Sequence, residues 1–515
     1  MEFKSSLLDL ESGGKFIVVM GSNDANKLGV ISSDRVELRV GDSDAVAILN
    51  IASEFPDGTL GVFREVKSRL DLNEGDSVQV RPVEKPESLR FIREKIFGGK
   101  LTSKKIEMIV EDVVERHLSD IELTAFVTAL EFHGPSMGEV EALSRAMVKT
   151  GKTIDFNKKL ILDKHSIGGV PGDKTTLLVV PIVAAAGYII PKTSSRAITS
   201  PAGTADRMES LCPVDLRIDE IIEVVENTNA CIVWGGALDL APADDIFIQV
   251  EYPLSIDPLL LPSIMSKKKA MGSTHVVIDI PTGRGAKIKT IGQAHQLARD
   301  FIELGDRLDM RIRCAVTEGE QPIGCAIGPI LEAREALEAL MGGGPPGLID
   351  KATSLTGILF EMVGEYNGKE KALSLLSSGR AEEKMRQIIE AQGGNPDVKP
   401  EDLAVGSKWV DMKADRSGRI LWINNRSISQ IARAAGTPSD KGAGLLLRVK
   451  LGDEVAEGDT LVRIYADNVR RLDQATVLAE ELTPIGVGSR IGEKMLITQI
   501  TEEARPEAIK FSLDR

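Results

Sequence analysis

Hydrophobic and polar positions change period several times along this chain, and the changes divide it into four stretches. Up to about Val83, short apolar runs alternate with polar turns. Phe16 to Met20, Val36 to Val40, Leu60 to Val66 and Val78 to Val80 read as strands, with turn signals such as Asn73-Glu74-Gly75-Asp76. This pattern predicts a small β-rich domain over residues 1–84, followed by the linker Pro82-Val83-Glu84-Lys85-Pro86. From Leu89 to about Lys152 the spacing becomes helical. Ser119 with Glu122 and Ser136 with Glu139 each form a capping-box pattern, a hydroxyl N-cap with a carboxylate three residues on. A helical domain is expected over 88–157, joined by part of about 245–275.

From Lys159 to about Ile330 apolar strands alternate with helical segments, which predicts βαβ crossovers around a parallel or mixed central sheet. Another helical stretch follows Gly342-Gly343-Gly344-Pro345-Pro346 and runs to about Gln392, so the α/β domain is expected over 158–405. The last segment, 406–515, is β-rich: Leu451-Gly452-Asp453-Glu454-Val455 and Glu457-Gly458-Asp459-Thr460-Leu461-Val462 form a near-repeat of turn and strand. The expected class is multidomain α/β with a central mixed sheet.

Composition narrows the functional classes. At 515 residues and 42% hydrophobic, the chain can bury a substantial core in roughly three or four domains. A formal net charge of -14 argues against nonspecific binding to nucleic acid or anionic membranes, which need basic surface. With 4% aromatic residues, stacking platforms for single-stranded nucleic acid are not expected either. Cys212, Cys231, Cys314 and Cys325 have no CxxC spacing, so neither a metal site nor a disulfide framework is expected, and a reducing cytoplasm fits. The longest apolar run, Leu177 to Ile190, is interrupted by Pro181 and too short to span a bilayer, and Met1-Glu2-Phe3-Lys4 lacks a signal-peptide core.

Candidate chemistry concentrates between Asp163 and Glu209, where two loops rich in Gly, Ser and Thr each follow an apolar run. The first, Asp163-Lys164-His165-Ser166-Ile167-Gly168-Gly169-Val170-Pro171-Gly172-Asp173-Lys174-Thr175-Thr176, breaks from a strand into glycines and then starts a helix. In the second, Tyr188 to Pro191 reads as strand and Lys192-Thr193-Ser194-Ser195-Arg196 as turn. Thr199-Ser200-Pro201-Ala202-Gly203-Thr204 then leads into a helix. Unpaired N–H groups at a helix start favour an anion, and glycine lets the backbone approach it. Hydroxyls of Ser166, Thr176, Ser194 and Thr204 add neutral donors, while Lys164, Lys192 and Arg196 add cations. Such residues are also ordinary turn and cap formers. The pairing of two chemically matched loops is what favours an oxyanion site.

The motif Lys164-His165-Ser166 with Gly168-Gly169, then Ser194-Ser195-Arg196 with Gly203-Thr204, then Ser263-Ile264-Met265-Ser266-Lys267-Lys268, resembles the nucleoside phosphorylase family that contains thymidine and pyrimidine-nucleoside phosphorylases. Within it, Lys192 to Pro201, the extra N-terminal domain and Ser255-Ile256-Asp257-Pro258 are most similar to the AMP phosphorylases of archaeal type. The resemblance covers nearly the whole chain. It implies a helical and an α/β domain flanking a cleft, and phosphorolysis of nucleoside 5′-monophosphates: AMP and phosphate to adenine and ribose 1,5-bisphosphate, with CMP and UMP as further substrates.

By that resemblance Lys164, Ser166, Thr176, Ser194 and Thr204 would hold the attacking phosphate, and His165 would sit between phosphate and sugar as a proton carrier or a positioning group. Gly168, Ser194, Ser195, Arg196, Ala197, Ile198, Thr199 and Thr204 would contact the nucleotide. Ser263 and Lys267 would meet the base, and Lys287, after Pro281-Thr282-Gly283-Arg284-Gly285-Ala286, would contact AMP beside its 5′-phosphate. Arg196 is a second candidate for that phosphate. Asp257 would protonate the leaving base. A carboxyl in water ionises near pH ~4, so this role calls for surroundings that hold its proton, and flanking Ile256, Pro258 and Leu259-Leu260-Leu261 suggest an apolar one. Lys268 and Lys269 read as a solvated helix face.

Gln249-Val250-Glu251-Tyr252-Pro253 stands where thymidine phosphorylases carry a base-gripping Arg, which counts against thymidine. A thymidine or pyrimidine-nucleoside phosphorylase and a phosphoribosyltransferase are the alternatives. The latter would call for magnesium on a carboxylate cluster, and Asp244-Asp245 is too slight a signal for one. No cofactor or metal is expected, with phosphate as co-substrate. The resemblance further implies a homodimer, or a larger homo-oligomer built through the N-terminal domain.

Overall fold

The computed structural model describes residues 1–83, 85–197 and 200–488. Residues 1–82 close into a six-stranded barrel of β1 (Glu2–Leu7), β2 (Ile17–Gly21), β3 (Arg35–Val40), β4 (Ser43–Ala52), β5 (Thr59–Val62) and β6 (Ser77–Pro82), in the order β1-β5-β2-β4-β3-β6. Two short helices, α1 (Ser22–Leu28) and α2 (Arg64–Leu70), interrupt it. Val66, expected as the end of a strand, is instead a buried α2 residue. Closure pairs each strand on both sides, so the barrel needs no neighbour to satisfy its backbone.

Four helices follow: α3 (Ser88–Ile96), α4 (Ser103–Val114), α5 (Asp120–His133) and α6 (Met137–Lys149). Both expected capping boxes form, at Ser119 with Glu122 and at Ser136 with Glu139. The core of this unit is completed from far along the chain by Ala241, Ala243, Ile246, Phe247 and Leu259. Arg35 of β3 pairs with Glu122 at the start of α5, joining barrel to helices.

The α/β unit contains β7 (Leu162–Ser166), α7 (Thr175–Ala185), β8 (Ile190–Ser194), α8 (Thr204–Met208), α9 (Ile218–Thr228), β9 (Ala230–Trp234), α10 (Pro242–Leu254), α11 (Leu260–Ala270), β10 (His275–Thr282), α12 (Ile291–Arg307) and β11 (Arg311–Glu318). Strands β11, β10 and β7 pair parallel, as do β8 and β9, and a parallel bridge between Ile161 and Ile189 connects the two sets. The mixed sheet expected from sequence is therefore parallel throughout its described pairings. The reason is topological: a helix lies between each strand and the next in sequence, and such crossovers return the chain in the same direction.

Helix α7 is buried at all of its residues, with Pro181 inside it. After β12 (Ala326–Ile327), the helices α13 (Pro329–Leu340), α14 (Pro346–Met362), α15 (Gly368–Ser377) and α16 (Arg380–Ala391) pack around it and share one large apolar core with it. An apolar run of this kind reads like a membrane segment but has no wet face because neighbouring elements cover it on all sides. Among the described residues, no helix is long and apolar enough to cross a membrane.

The last unit contains β13 (Lys408–Lys413), β14 (Gly418–Ile423), α17 (Asn425–Ala435), β15 (Gly444–Leu447), β16 (Glu454–Val455), β17 (Thr460–Ala466), α18 (Val469–Leu482) and β18 (Ile485–Gly488). Its two sheets are ordered β12-β15-β17-β13 and β16-β14-β18. Strand β12, from within the stretch read as α/β, is an edge of the first.

Candidate active site

The site is built around β7, whose consecutive residues Asp163, Lys164, His165 and Ser166 alternate between the two faces of the sheet. Lys164 and Ser166 share one face. There Lys164 Nζ stands 3.8 Å from Asp173 and 4.0 Å from Asp279, and Lys351 of α14 lies 2.9 Å from Asp279. The Thr317 hydroxyl donates to Asp279 Oδ1 at 2.6 Å. On the other face, with His165, Asp163 is met by Lys268 of α11 at 2.6 Å and by Lys192 of β8 at 3.6 Å. These charged groups are buried, apart from the partly exposed Asp173 and Lys351.

Within this cluster of described residues, four ammonium groups against three carboxylates leave one cation in excess. A buried excess of positive charge is costly, and either an anion or loss of a proton from an ammonium relieves it. Its electrostatics agree. Burial pushes Lys192 well below its ordinary value against the pull of Asp163, and Lys268 and Lys164 add to the push. Burial likewise holds His165 well below its ordinary range, reinforced by Lys268, Lys192, Lys164 and Lys267, so the imidazole is neutral. At Asp173 burial works the other way, but Lys164 and Lys351 outweigh it and keep the carboxylate ionised.

Strands β7 and β8 are neighbours, which sets the two Gly, Ser and Thr loops side by side. Gly168, at φ +79°, has open space where a side chain would be, and Ser166 Oγ accepts from its N–H at 3.4 Å. Thr175 and Thr176 open α7, both buried, and the Thr175 hydroxyl has no hydrogen-bond partner among the described residues. In the second loop, Lys192, Thr193 and Ser194 continue the strand instead of turning, and Ser194 Oγ donates to the Val233 carbonyl at 3.2 Å. Asp206 accepts from the N–H groups of Ala197 and Gly203, both at 2.7 Å, folding Ser195-Arg196-Ala197 over the start of α8. Gly203 is required there, since a Cβ would lie 2.4 Å from the Ser195 carbonyl oxygen. Thr204 begins α8, and its hydroxyl accepts from Arg207 at 3.3 Å.

Arg196 is paired with an acidic side chain of α8's C-cap. It forms two hydrogen bonds to Glu209, at 2.9 and 2.6 Å, and lies over the Trp234 ring at 4.8 Å. Ile198 and Thr199 lie outside the described residues.

Ser263 and Lys267 sit on α11, and Lys267 pairs with the buried Asp244 of α10. Asp257 occupies the turn between α10 and α11. Its carboxylate contacts Lys287, which follows β10, and the two side chains are 35% and 40% exposed. The apolar surround expected for Asp257 is thus absent here. The flanking Leu259 turns into the helical core, while Asp257 stays part-exposed against Lys287. The buried acid in this corner is Glu251, pushed up to about 8 by burial and then by the charge of Asp257. Gly169 sits directly under Lys287: a Cβ there would be 2.6 Å from the Lys287 nitrogen. The first glycine-rich loop and the Lys287 loop are therefore in contact.

Lys268 corrects the expectation of a solvated face, because it is buried against Asp163, and Lys269 donates to the Leu308 carbonyl at 2.7 Å. Asp163, Asp173, Asp279, Lys351 and Glu251 were missed. For Asp163 and Asp279 a signal existed, a lone carboxylate inside an apolar strand run (Leu160-Ile161-Leu162-Asp163; Val276-Val277-Ile278-Asp279-Ile280).

Residues 158–382 match the a/b domain of a glycosyl transferase family and 89–151 its helical bundle domain. Residues 420–486 match the pyrimidine nucleoside phosphorylase C-terminal domain. An AMP phosphorylase of Thermofilum pendens is 50% identical over 500 residues, 97% of this chain and 98% of its own. One of Thermococcus kodakarensis is 51% identical over 501 residues, 96% and 99% of the two chains. AMP phosphorylase 1 of Archaeoglobus fulgidus is 47% identical over 498 residues, 96% and 99% of the two. Among solved structures, anthranilate phosphoribosyltransferase from Thermus thermophilus shares the fold over 58% of this chain and 98% of its own, with a TM-score of 0.51 and 18% identity. Identity near one half along almost the full length of both sequences relates entire architectures, barrel to C-terminal unit, and this chain belongs to the AMP phosphorylase family.

Proposed function

We propose that this chain catalyses phosphorolysis of nucleoside 5′-monophosphates, converting AMP and phosphate to adenine and ribose 1,5-bisphosphate and accepting CMP and UMP. The observation that carries this reading is the buried cluster around β7, with its one uncompensated cation beside two hydroxyl-rich loops. Inorganic phosphate completes it. Lys164, Ser166, Thr176, Ser194 and Thr204 hold the phosphate, whose oxygen attacks C1′ while the C1′–N bond breaks and its electron pair passes to the base. Fixing the nucleophile in a water-poor corner lowers the barrier by positioning and by preorganised charge.

Neutral His165 orients phosphate and ribose and carries no charge of its own to the reaction. Gly168, Ser195 and Ala197 line the sugar side, Ser263 and Lys267 the base. Lys287 binds the 5′-phosphate, and Asp257 supplies the proton that the departing base requires. Neither a metal nor an organic cofactor enters this scheme. The barrel, residues 1–84, mediates homo-oligomer assembly.

Two variants test the roles. Asp257→Asn is expected to lower kcat with AMP by ~10²–10⁴-fold with little change in the KM for phosphate, and Lys164→Ala to raise the KM for phosphate. Normal turnover by Asp257→Asn would remove the acid assignment.

A further inference from the structure

The C-terminal unit reaches the loop that carries Lys287. Asn425, the first residue of α17, is buried, and its side-chain amide donates from Nδ2 to the Gly319 carbonyl at 2.8 Å. Gly319 follows β11 directly, and its own N–H donates to the Thr282 carbonyl at the end of β10, at 2.9 Å. The same Asn425 side chain lies against the next part of that loop: a Cβ at Gly285 would stand 2.9 Å from both the Cβ and the Nδ2 of Asn425. On its far side the loop meets Gly169, which sits under the Lys287 nitrogen. Residues 283–287 are thus held between the α/β unit and the C-terminal unit.

We propose that Asn425 is a positioning residue for nucleotide recognition: it fixes the path of the Lys287 loop, so that the C-terminal unit takes part in binding the 5′-phosphate without touching it. This inference rests on the reading of Lys287 as the ligand of that phosphate.

The loop depends on what packs against it. Two of its residues, Gly283 and Gly285, are glycines, which leave the backbone free to take other paths. Its internal bonds are few: Gly283 N–H donates to the Ile288 carbonyl and Ala286 N–H to the Gly283 carbonyl, both at 3.1 Å. Placement is what an ammonium contributes to a bound dianion, and a shift of about 1 Å is enough to weaken its hold.

The amide is a poor choice for stability alone. Its Oδ1 is buried and has no hydrogen-bond partner among the described residues, which is costly. An apolar side chain would avoid that cost, and the one bond the amide makes in return is to the carbonyl that anchors the Lys287 loop to β11. The anchor is braced from the same unit. Leu451 N–H donates to Gln321 Oε1 at 3.1 Å, and the Lys450 ammonium donates to the carbonyls of Pro322, at 2.8 Å, and Gly324.

The test measures kcat, the KM for AMP and the KM for phosphate in the wild type, Asn425→Ala, Gly285→Ala, Lys287→Met and the double variant Asn425→Ala with Lys287→Met. Asn425→Ala is expected to raise the KM for AMP about tenfold and to leave the KM for phosphate within about twofold of wild type. Gly285→Ala reaches the same contact from the loop side, outside the C-terminal core, and is expected to do the same, so the outcome does not hang on how well Asn425→Ala folds. The double variant should use AMP no worse than Lys287→Met alone, because both changes remove one interaction; a merely structural role would add the two losses. An unchanged KM for AMP in both single variants at this contact, equal rises in the two KM values, or additive losses in the double variant overturns the positioning role. Lys287→Met separates the two failures. If it leaves the KM for AMP unchanged, the reading of Lys287 is wrong and the positioning role falls with it; if it raises that KM while Asn425→Ala and Gly285→Ala do not, only the positioning role is wrong.

Discussion

Lys164 and His165 are adjacent in sequence, yet β7 turns them to opposite faces and opposite electrostatic fates. Lys164 meets Asp173 and Asp279, whereas His165 is surrounded by four lysines and stays neutral. Its folded-state pKa lies below the unfolded one, so below pH ~6.5 the unfolded chain binds a proton that the native state refuses. This contribution favours folding above that pH and turns against it on acidification. In urea titrations from pH 7 to pH 5, wild type is expected to lose more stability than His165→Asn; equal losses would show that the imidazole titrates normally. The two hydroxyl-rich loops were legible in the sequence because their residue types name their chemistry. Lys268 was not, since a run of three lysines on a helix reads as solvent-facing unless the aspartate it meets, here over a hundred residues away, is known.

At the scale of elements, the start of α7 is fixed by a side chain that never faces the cleft. Lys174, its N-cap, is fully buried, pairs with Glu335 of α13 and donates to the carbonyls of Ile323 and Ala326 at 3.0 and 2.9 Å. Glu335 in turn accepts the N–H groups of Cys325 and Ala326. Glu335→Ala would strand a buried ammonium, a loss of ~3–5 kcal/mol. We expect a corresponding drop in unfolding free energy by denaturant titration, with weaker phosphate use as the helix start loosens. A drop below about 1 kcal/mol would mean that the pair holds nothing in place. Helices with capping boxes were readable from local sequence, because those signals lie within four residues. The strands β1 and β4 were not, and neither was the direction of strand pairing, since both depend on partners distant in the chain.

At the scale of the whole molecule, the chain crosses three times between the helical and α/β units, and the crossings lie against one another. Lys152 N–H donates to the Asp239 carbonyl and Ile154 N–H to the Ala270 carbonyl, both at 2.8 Å, while Gly151 has room for no Cβ, which would lie 2.1 Å from the Leu240 oxygen. The barrel stands apart, tied to the helices by Arg35–Glu122 and Lys15–Asp120. Removing residues 1–84 is expected to lower the mass seen by light scattering while the cleft survives, and an unchanged mass would refute a barrel-mediated assembly.

Phosphate-dependent release of a base from a nucleotide is the activity that the fold and its buried charge cluster are expected to support. Purified protein should be given AMP, CMP, UMP, adenosine, uridine and thymidine in parallel, each with phosphate, without phosphate, and with phosphate plus a chelator. The expected result is release from the monophosphates that requires phosphate, survives the chelator and exceeds release from every nucleoside. Release mainly from thymidine or uridine, or release indifferent to phosphate, would contradict it.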